Sequence, residues 1–333
     1  MRMPASSMRR SLLVAGLAGP LGGRLAPARA ADAPAWPGLD AALPVVVPNS
    51  RQFDVTIAGR TRRLFVSLPA ERSGSAPHPV LTVLDGNALF PLAAQLVRNL
   101  RARPDGARDA EAVVIGIGYP VDGPYDMAAR ADDYTLAPLP NGRGVVADRF
   151  LDFIEHDVQP WLARQLPVDP ERQTLFGHSY GGLLTLYAML TRAHLFRRYV
   201  AARPSIWSGA TRAHLFRRYV AASPSIWSGE RALLPYADRF AAQIAPLAPP
   251  LRVLVTAGSL EEGAPNPDAE RMRRQQARKQ VSSARDFVAR VGGRPGLDAA
   301  FRLIDGEDHG GVVLPSLVLA SRVVVEPASG AAA

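Results

Sequence analysis

Gly177-His178-Ser179-Tyr180-Gly181 puts a serine two residues from a glycine on either side, between the strand-like run RQTLFGHS and a helical pattern that begins at Tyr180. In that strand-turn-helix setting, G-x-S-x-G forms a strained turn that lifts the hydroxyl above the strand ends for nucleophilic attack. Glycines suit the flanking positions because the tight turn brings backbone too close for side chains. The residue after the serine, Tyr180, can offer its backbone N–H to a developing oxyanion. Alone, the five-residue pattern occurs by chance in glycine-bearing turns; its context makes it a candidate nucleophile.

A serine hydroxyl needs a base near neutral pH, most often histidine. Six histidines are present. His78 precedes a strand, His156 sits among charges on a helix, and His194 and His214 occupy equivalent positions of a repeat. His178 adjoins the nucleophile, so it points away and reads as scaffold. His309, in LIDGEDHGGVVLP after the last strand, fits the order serine, acid, histidine. LRVLVTAGSLEEG supplies Glu261 and Glu262 just beyond the preceding strand, and Glu261 is the favoured group to orient the imidazole. Glu307, Asp308 and a serine–histidine dyad remain alternatives. LDGNALF offers Gly86 and Asn87 for the second oxyanion donor; the Asn87 backbone N–H is chosen, with Asp85 bracing the loop or acting as a plain turn residue.

These groups must be held by alternating strands and helices. RQFDVTIAG and TRRLFVSLP read as an antiparallel hairpin around Gly59-Arg60. PVLTVLDG (79–86) is a nearly continuous apolar run, as expected of a strand buried on both faces. A helix over 88–101, the strand AVVIGIGY (112–119), a long helix over 145–166 bent at Pro160, and the strand–helix pair around Ser179 follow. Then come a helix (230–243), the strand LRVLVTAG (251–258), a basic helix (268–291), the strand AAFRLIDG and a last helix (312–325). Residues 121–143 read as a long functional loop. The alternation implies an α/β fold with a mostly parallel sheet, helices on both faces and an antiparallel N-terminal hairpin at one edge.

Composition narrows the function classes. The 333 residues contain no cysteine, so disulfides, thiolate catalysis and cysteine-ligated metal are excluded. No span reaches the ~20 apolar residues of a membrane helix. Net charge is +9; the five arginines of residues 1–30 account for five of it, and four more fall in the first copy of a repeat, leaving 0. The basic balance is therefore no nucleic-acid footprint. Residues 1–30 carry basic residues, Arg9-Arg10 before a short apolar stretch, and Ala28-Arg29-Ala30, the layout of a secretory, twin-arginine-like signal. Residues 31–50 are expected to form a lead segment, 51–326 the α/β domain, and 327–333 a disordered tail. The chain is expected to be exported, into the periplasm.

VLDGNALF, IGIGYPVDGPYDMAARADDYT, FGHSYGG, YVAASPSIW and GEDHGGVVLP, in that order, resemble the enterobactin-esterase-like (siderophore esterase) family of α/β hydrolases from about Arg51 to the final helix. The resemblance implies an α/β-hydrolase fold, an ester substrate such as a catecholate trilactone siderophore, and no cofactor or metal, with ferric iron arriving only as part of the substrate. It implies Ser179 as nucleophile, His309 as base, and Asn87 and Tyr180 as oxyanion amides. It also places Arg130 near the substrate, where a guanidinium can face a catecholate or carboxylate oxygen; the competing reading is a salt bridge to Asp132 or Asp133. A general carboxylesterase, an acyltransferase, and a siderophore-binding protein without turnover are the alternatives. No nucleic-acid partner is expected.

One feature stands apart from that pattern. TRAHLFRRYVAARPSIWSGA (191–210) is followed at once by TRAHLFRRYVAASPSIWSGE (211–230), with Arg203 against Ser223 and Ala210 against Glu230 as the only differences. Two copies do not make a solenoid. The second copy carries the family-like A-S-P-S, so Tyr219–Trp227 is assigned to the sheet and the first copy to an insertion. Closure entropy tolerates this, since doubling a loop costs only about 0.6 kcal/mol. Ser223 and Trp227, at the strand end facing the site, are assigned to substrate binding with Arg130.

Overall fold

The hairpin that opens the fold turns on Ala58 and Gly59, both left-handed (φ +50° and +73°), the backbone twist that two-residue hairpins prefer. In the computed structural model, residues 38–69, 77–102, 111–138, 142, 146–192, 218–244, 250–263 and 268–326 are described. The expected signal and tail segments, residues 1–30 and 327–333, and all of the first repeat copy after Arg192 lie outside them. The chain divides into residues 1–46, whose described part holds one 3-10 turn at Leu39–Ala41, and residues 47–333.

In the second unit the elements run β1 (Ser50–Ile57), β2 (Arg60–Ser67), β3 (His78–Leu84), α1 (Gly86–Arg101), β4 (Val113–Gly118), α2 (Met127–Tyr134), α3 (Ala147–Phe153), a π turn (Ile154–Val158) and α4 (Gln159–Gln165). They continue β5 (Val168–His178), α5 (Tyr180–Arg192), β6 (Arg218–Ala222), α6 (Ser228–Arg231), α7 (Leu234–Gln243), β7 (Leu251–Gly258), α8 (Ala269–Arg278), α9 (Gln280–Val291), β8 (Leu297–Ile304) and α10 (Val313–Val325). The eight strands form one sheet in the order β1-β2-β4-β3-β5-β6-β7-β8. β1–β2 and β2–β4 pair antiparallel; every other pair is parallel. This is the expected α/β-hydrolase architecture.

Side-chain alternation builds a core on each face. Val80 and Leu84 of β3, Leu175 of β5, and Tyr219 and Ala221 of β6 join one apolar cluster with α3, α5, α7 and α9. Leu81, Val83, Phe176, Val220 and Ala222 join the other, under α1 and α10. Because both faces are covered, the central strands β3, β4 and β6 are buried along their whole length.

Four local expectations are amended. The segment 121–143 contains α2, whose start is capped by Asp126 accepting the N–H groups of Ala128 and Ala129. The helix expected over 268–291 is two, broken where Lys279 turns left-handed (φ +46°). Pro160 lacks the N–H that would bond the carbonyl of residue 156, and the long helix widens into the π turn just before it. The strand expected over 219–227 ends at Ala222 because Ser223 is left-handed (φ +42°). Thr191 and Arg192 of the first copy finish α5, while the second copy supplies β6.

Candidate active site

Ser179 sits between β5 and α5 with φ +59°, a conformation that costs a non-glycine residue of order 1 kcal/mol and is held by its surroundings. Its N–H donates to the Ala222 carbonyl at 3.0 Å, and its own carbonyl accepts from Leu183 at 2.9 Å and from Ser225 at 3.0 Å. A Cβ added at Gly177 would lie 2.2 Å from the Gly181 carbonyl oxygen, so the turn closes only with glycine there.

His309 arrives from the loop between β8 and α10. That loop is a structured turn: Asp308 Oδ1 accepts the N–H groups of Gly310 at 3.0 Å and Gly311 at 2.8 Å. His309 Nε2 lies 3.0 Å from Ser179 Oγ, and His309 Nδ1 lies 2.7 Å from Glu261 Oε2. An ionised carboxylate only accepts, so Nδ1 carries the proton and Nε2 is free to accept from the serine. Glu261, from a 3-10 turn just beyond β7, is buried, with 4% exposure. Its second oxygen accepts the Gly258 N–H at 2.7 Å. Glu262 instead accepts from Ser282 of α9, through N–H at 2.7 Å and hydroxyl at 2.5 Å. Glu307 and Asp308, the other acids weighed, are held in the His309 loop, Glu307 through its carbonyl and Asp308 through the glycine N–H groups.

Asn87 and Tyr180 are the second residue of α1 and the first of α5, where backbone N–H groups have no intrahelical acceptor. The two helix starts adjoin: a Cβ on Gly181 would sit 3.5 Å from Leu84 Cβ and 3.6 Å from Asp85 Oδ2. The Asn87 side chain fixes the loop after β4, accepting the Tyr119 N–H at 2.9 Å and donating to the carbonyls of Tyr119 at 2.9 Å and Val121 at 3.0 Å.

Two side chains assigned to substrate binding sit elsewhere. Arg130 is buried and forms a fork on Asp85, Nε to Oδ1 at 2.9 Å and Nη2 to Oδ2 at 3.0 Å. Neither Asp132 nor Asp133 is its partner; Asp133 belongs to Arg62, Arg60 and the Tyr119 hydroxyl. Asp85 accepts both donors of the guanidinium edge, so Arg130 braces the left-handed Asp85 (φ +53°). Ser223 is fully buried between Glu261 and His309: its hydroxyl donates to Glu261 Oε2 at 2.5 Å and lies 2.9 Å from His309 Nδ1. Trp227 is partly buried, its ring 6.3 Å from that of Tyr180.

Sequence reading missed Ser225, whose hydroxyl is 3.3 Å from Ser179 Oγ; the only available signal was its place in A-S-P-S-I-W. His178 is buried against the His309 loop. Burial, then the neighbouring His309, pushes its pKa down to about 3. The neutral ring donates from Nε2 to the His309 carbonyl at 2.8 Å. One grouping of acids and histidine among the described residues, Asp152, Glu155 and His156, has metal-ligand proximity. Arg192 already occupies it, 2.9 Å from Asp152 and 3.2 Å from Glu155.

Residues 56–295 match the family described as "Putative esterase". The chain belongs to this esterase family. Among its relatives, the ferri-bacillibactin esterase BesA of Bacillus subtilis is 31% identical over 78% of this chain and 82% of its own length. The siderophore triacetylfusarinine C esterase of Aspergillus fumigatus is 40% identical over 50% of this chain, and the match spans 60% of that relative's length. The siderophore hydrolase EstB of Aspergillus nidulans superposes with a TM-score of 0.70 at 28% identity, covering 85% of this chain and 97% of its own. The esterase family thus includes proteins named for siderophore ester cleavage, and this chain is siderophore-esterase-like.

Proposed function

We propose that this esterase-family chain hydrolyses siderophore esters, catecholate trilactones among them, through a serine acyl-enzyme on Ser179. The observation that carries the reading is the continuous relay from Ser179 Oγ through His309 to the buried Glu261 carboxylate, at 3.0 and 2.7 Å. His309 Nε2 takes the hydroxyl proton as Oγ attacks the ester carbonyl. The N–H groups of Asn87 and Tyr180 receive the developing oxyanion. Glu261 steadies the imidazolium, which then protonates the departing alkoxide. Water repeats the sequence on the acyl-enzyme and frees the acid.

The relatives' names support siderophore esters over general carboxylic esters. Ferric iron in this reading belongs to the substrate. Export is part of the same proposal and rests on the basic, apolar and Ala-Arg-Ala order of residues 1–30. The test is labelling with a fluorophosphonate, followed by hydrolysis of a catecholate trilactone and of a short aryl ester. Label on Ser179 that disappears in His309→Ala, with the trilactone the better substrate, is expected. Ligand binding without label would replace the enzyme with a binding protein.

A further inference from the structure

Beside His309 lies a cavity of about 100 Å³, bounded on the site side by Glu261, Asp308 and His309. Its other wall is Arg274 and Arg278 of α8, with Gln280 at the start of α9. The charges on that wall differ in how they are satisfied. Arg274 reaches back one turn to Glu270 at 2.8 Å. The exposed Arg278 has the Trp227 ring, 4.6 Å from guanidinium carbon to centroid, and among the described residues no carboxylate partner. On the acidic side, Glu261 is committed to His309, Ser223 and Gly258, and Asp308 Oδ1 to two backbone N–H groups.

Arg278 is also held in place. Lys279 bends the chain, and the buried Gln280 that follows donates from Nε2 to the Pro224 carbonyl at 2.7 Å. Pro224 lies between Ser223, bonded to the triad acid, and Ser225, bonded to Ser179. The end of α8 is thereby tied to the loop that organises the triad, and Tyr180, Trp227 and Arg278 form a wall running outward from the nucleophile.

His309 must protonate the leaving alkoxide, so a cavity beside its imidazole adjoins the alcohol portion of the ester. We infer that Arg278, backed by Trp227, forms a subsite for a negatively charged aromatic group on that alcohol portion. A guanidinium over an indole ring can still direct N–H donors to an anion. The inference rests on the hydrolase reading and sharpens it: among siderophore esters, the anionic ferric catecholates suit this wall and the uncharged ferric hydroxamates do not.

The test uses two acetyl esters with the same aromatic leaving group, para-acetoxybenzoate, which is anionic, and its neutral methyl ester. Each rate is divided by that with hydroxide, and the ratio of kcat/KM for charged over neutral ester is read in low salt. The expected result is a ratio above one in the wild type, falling about fivefold in Arg278→Met, recovering partly in Arg278→Lys, and shrinking as salt is added. A wild-type ratio at or below one, or one that Arg278→Met leaves unchanged, overturns the subsite. Failure to hydrolyse either ester, with no fluorophosphonate label on Ser179, removes the hydrolase reading itself.

Discussion

Two carboxylates stand buried at the C-terminal ends of parallel strands, Asp85 after β3 and Glu261 after β7. Each is nearly sealed from water, and each binds a cationic or potentially cationic side chain from a distant segment. Asp85 holds Arg130, which never loses its proton, in a two-point fork among the rings of Tyr125, Tyr134 and Tyr180. Glu261 holds His309, an imidazole that can carry or give up a proton, by one contact. The first pair is a permanent brace that fixes where α1 begins. The second is the pair whose charge changes in the proposed reaction. Similar burial and similar position therefore serve different ends, and the partner's proton decides which.

Breaking the reactive pair gives the largest effects. Ser179→Ala removes the proposed nucleophile, and kcat is expected to fall by about 10⁴- to 10⁶-fold with the fold intact, checked by ester hydrolysis beside circular dichroism. Glu261→Gln should cost about 10³- to 10⁴-fold in kcat, because a neutral amide no longer stabilises the imidazolium and can favour the wrong tautomer. Ser223→Arg is expected to be as severe. It gives the second repeat copy the residue that the first carries at the matching place, Arg203, and sets a guanidinium against Glu261 in competition with His309. Full activity in Ser223→Arg would remove Ser223 from the triad.

The scaffold histidine and the permanent brace come next, and both are read as stability. The folded pKa of His178 is depressed to about 3 from 6.5. Between those values the unfolded chain binds more protons, so stability is complete above the upper value and declines as pH falls toward the lower one. The full span is worth on the order of 4–5 kcal/mol. Thermal midpoints between pH 3 and 7 should show this slope, and His178→Gln, which keeps an N–H for the His309 carbonyl, should flatten it. Arg130→Met leaves Asp85 buried and unpaired, with an expected loss of about 3–5 kcal/mol by denaturant titration. The double change Asp85→Asn with Arg130→Met should recover part of that loss. If Arg130→Met were as stable as the wild type and only KM rose, Arg130 would be a substrate ligand after all.

The sheet was readable because central strands buried on both faces become unbroken apolar runs, as in PVLTVL and AVVIGIG. Ser179 and His309 were readable because strained turns need glycines and because chain order follows strand order. Glu261 could be named only as one of several acids, since choosing it over Glu262 depends on which carboxylate a short 3-10 turn directs inward. The partners of Arg130, Ser223 and Ser225 were not readable, for one reason. They lie 45, 38 and 46 residues away, and no local periodicity records such pairs. The break at Lys279 was hidden by a helical pattern that continues across it.

The smallest expected effect concerns Ser225, and it tests whether the loop after β6 is catalytic support or only packing. Its N–H bonds the Ser179 carbonyl at 3.0 Å, a contact that any residue at this position keeps. Its hydroxyl, 3.3 Å from Ser179 Oγ, is what Ser225→Ala removes. A contact of that length is a weak hydrogen bond. It competes with His309 Nε2 for the nucleophile's proton or, with Ser225 as donor, helps to hold Oγ on the His309 side. If the second role holds, kcat should fall about three- to tenfold in Ser225→Ala with KM and thermal midpoint little changed, roughly the worth of one neutral hydrogen bond. Fluorophosphonate labelling should slow by the same factor, since it reports the same hydroxyl. A rise in kcat would assign the competing role and make His309 the sole partner that matters to Ser179.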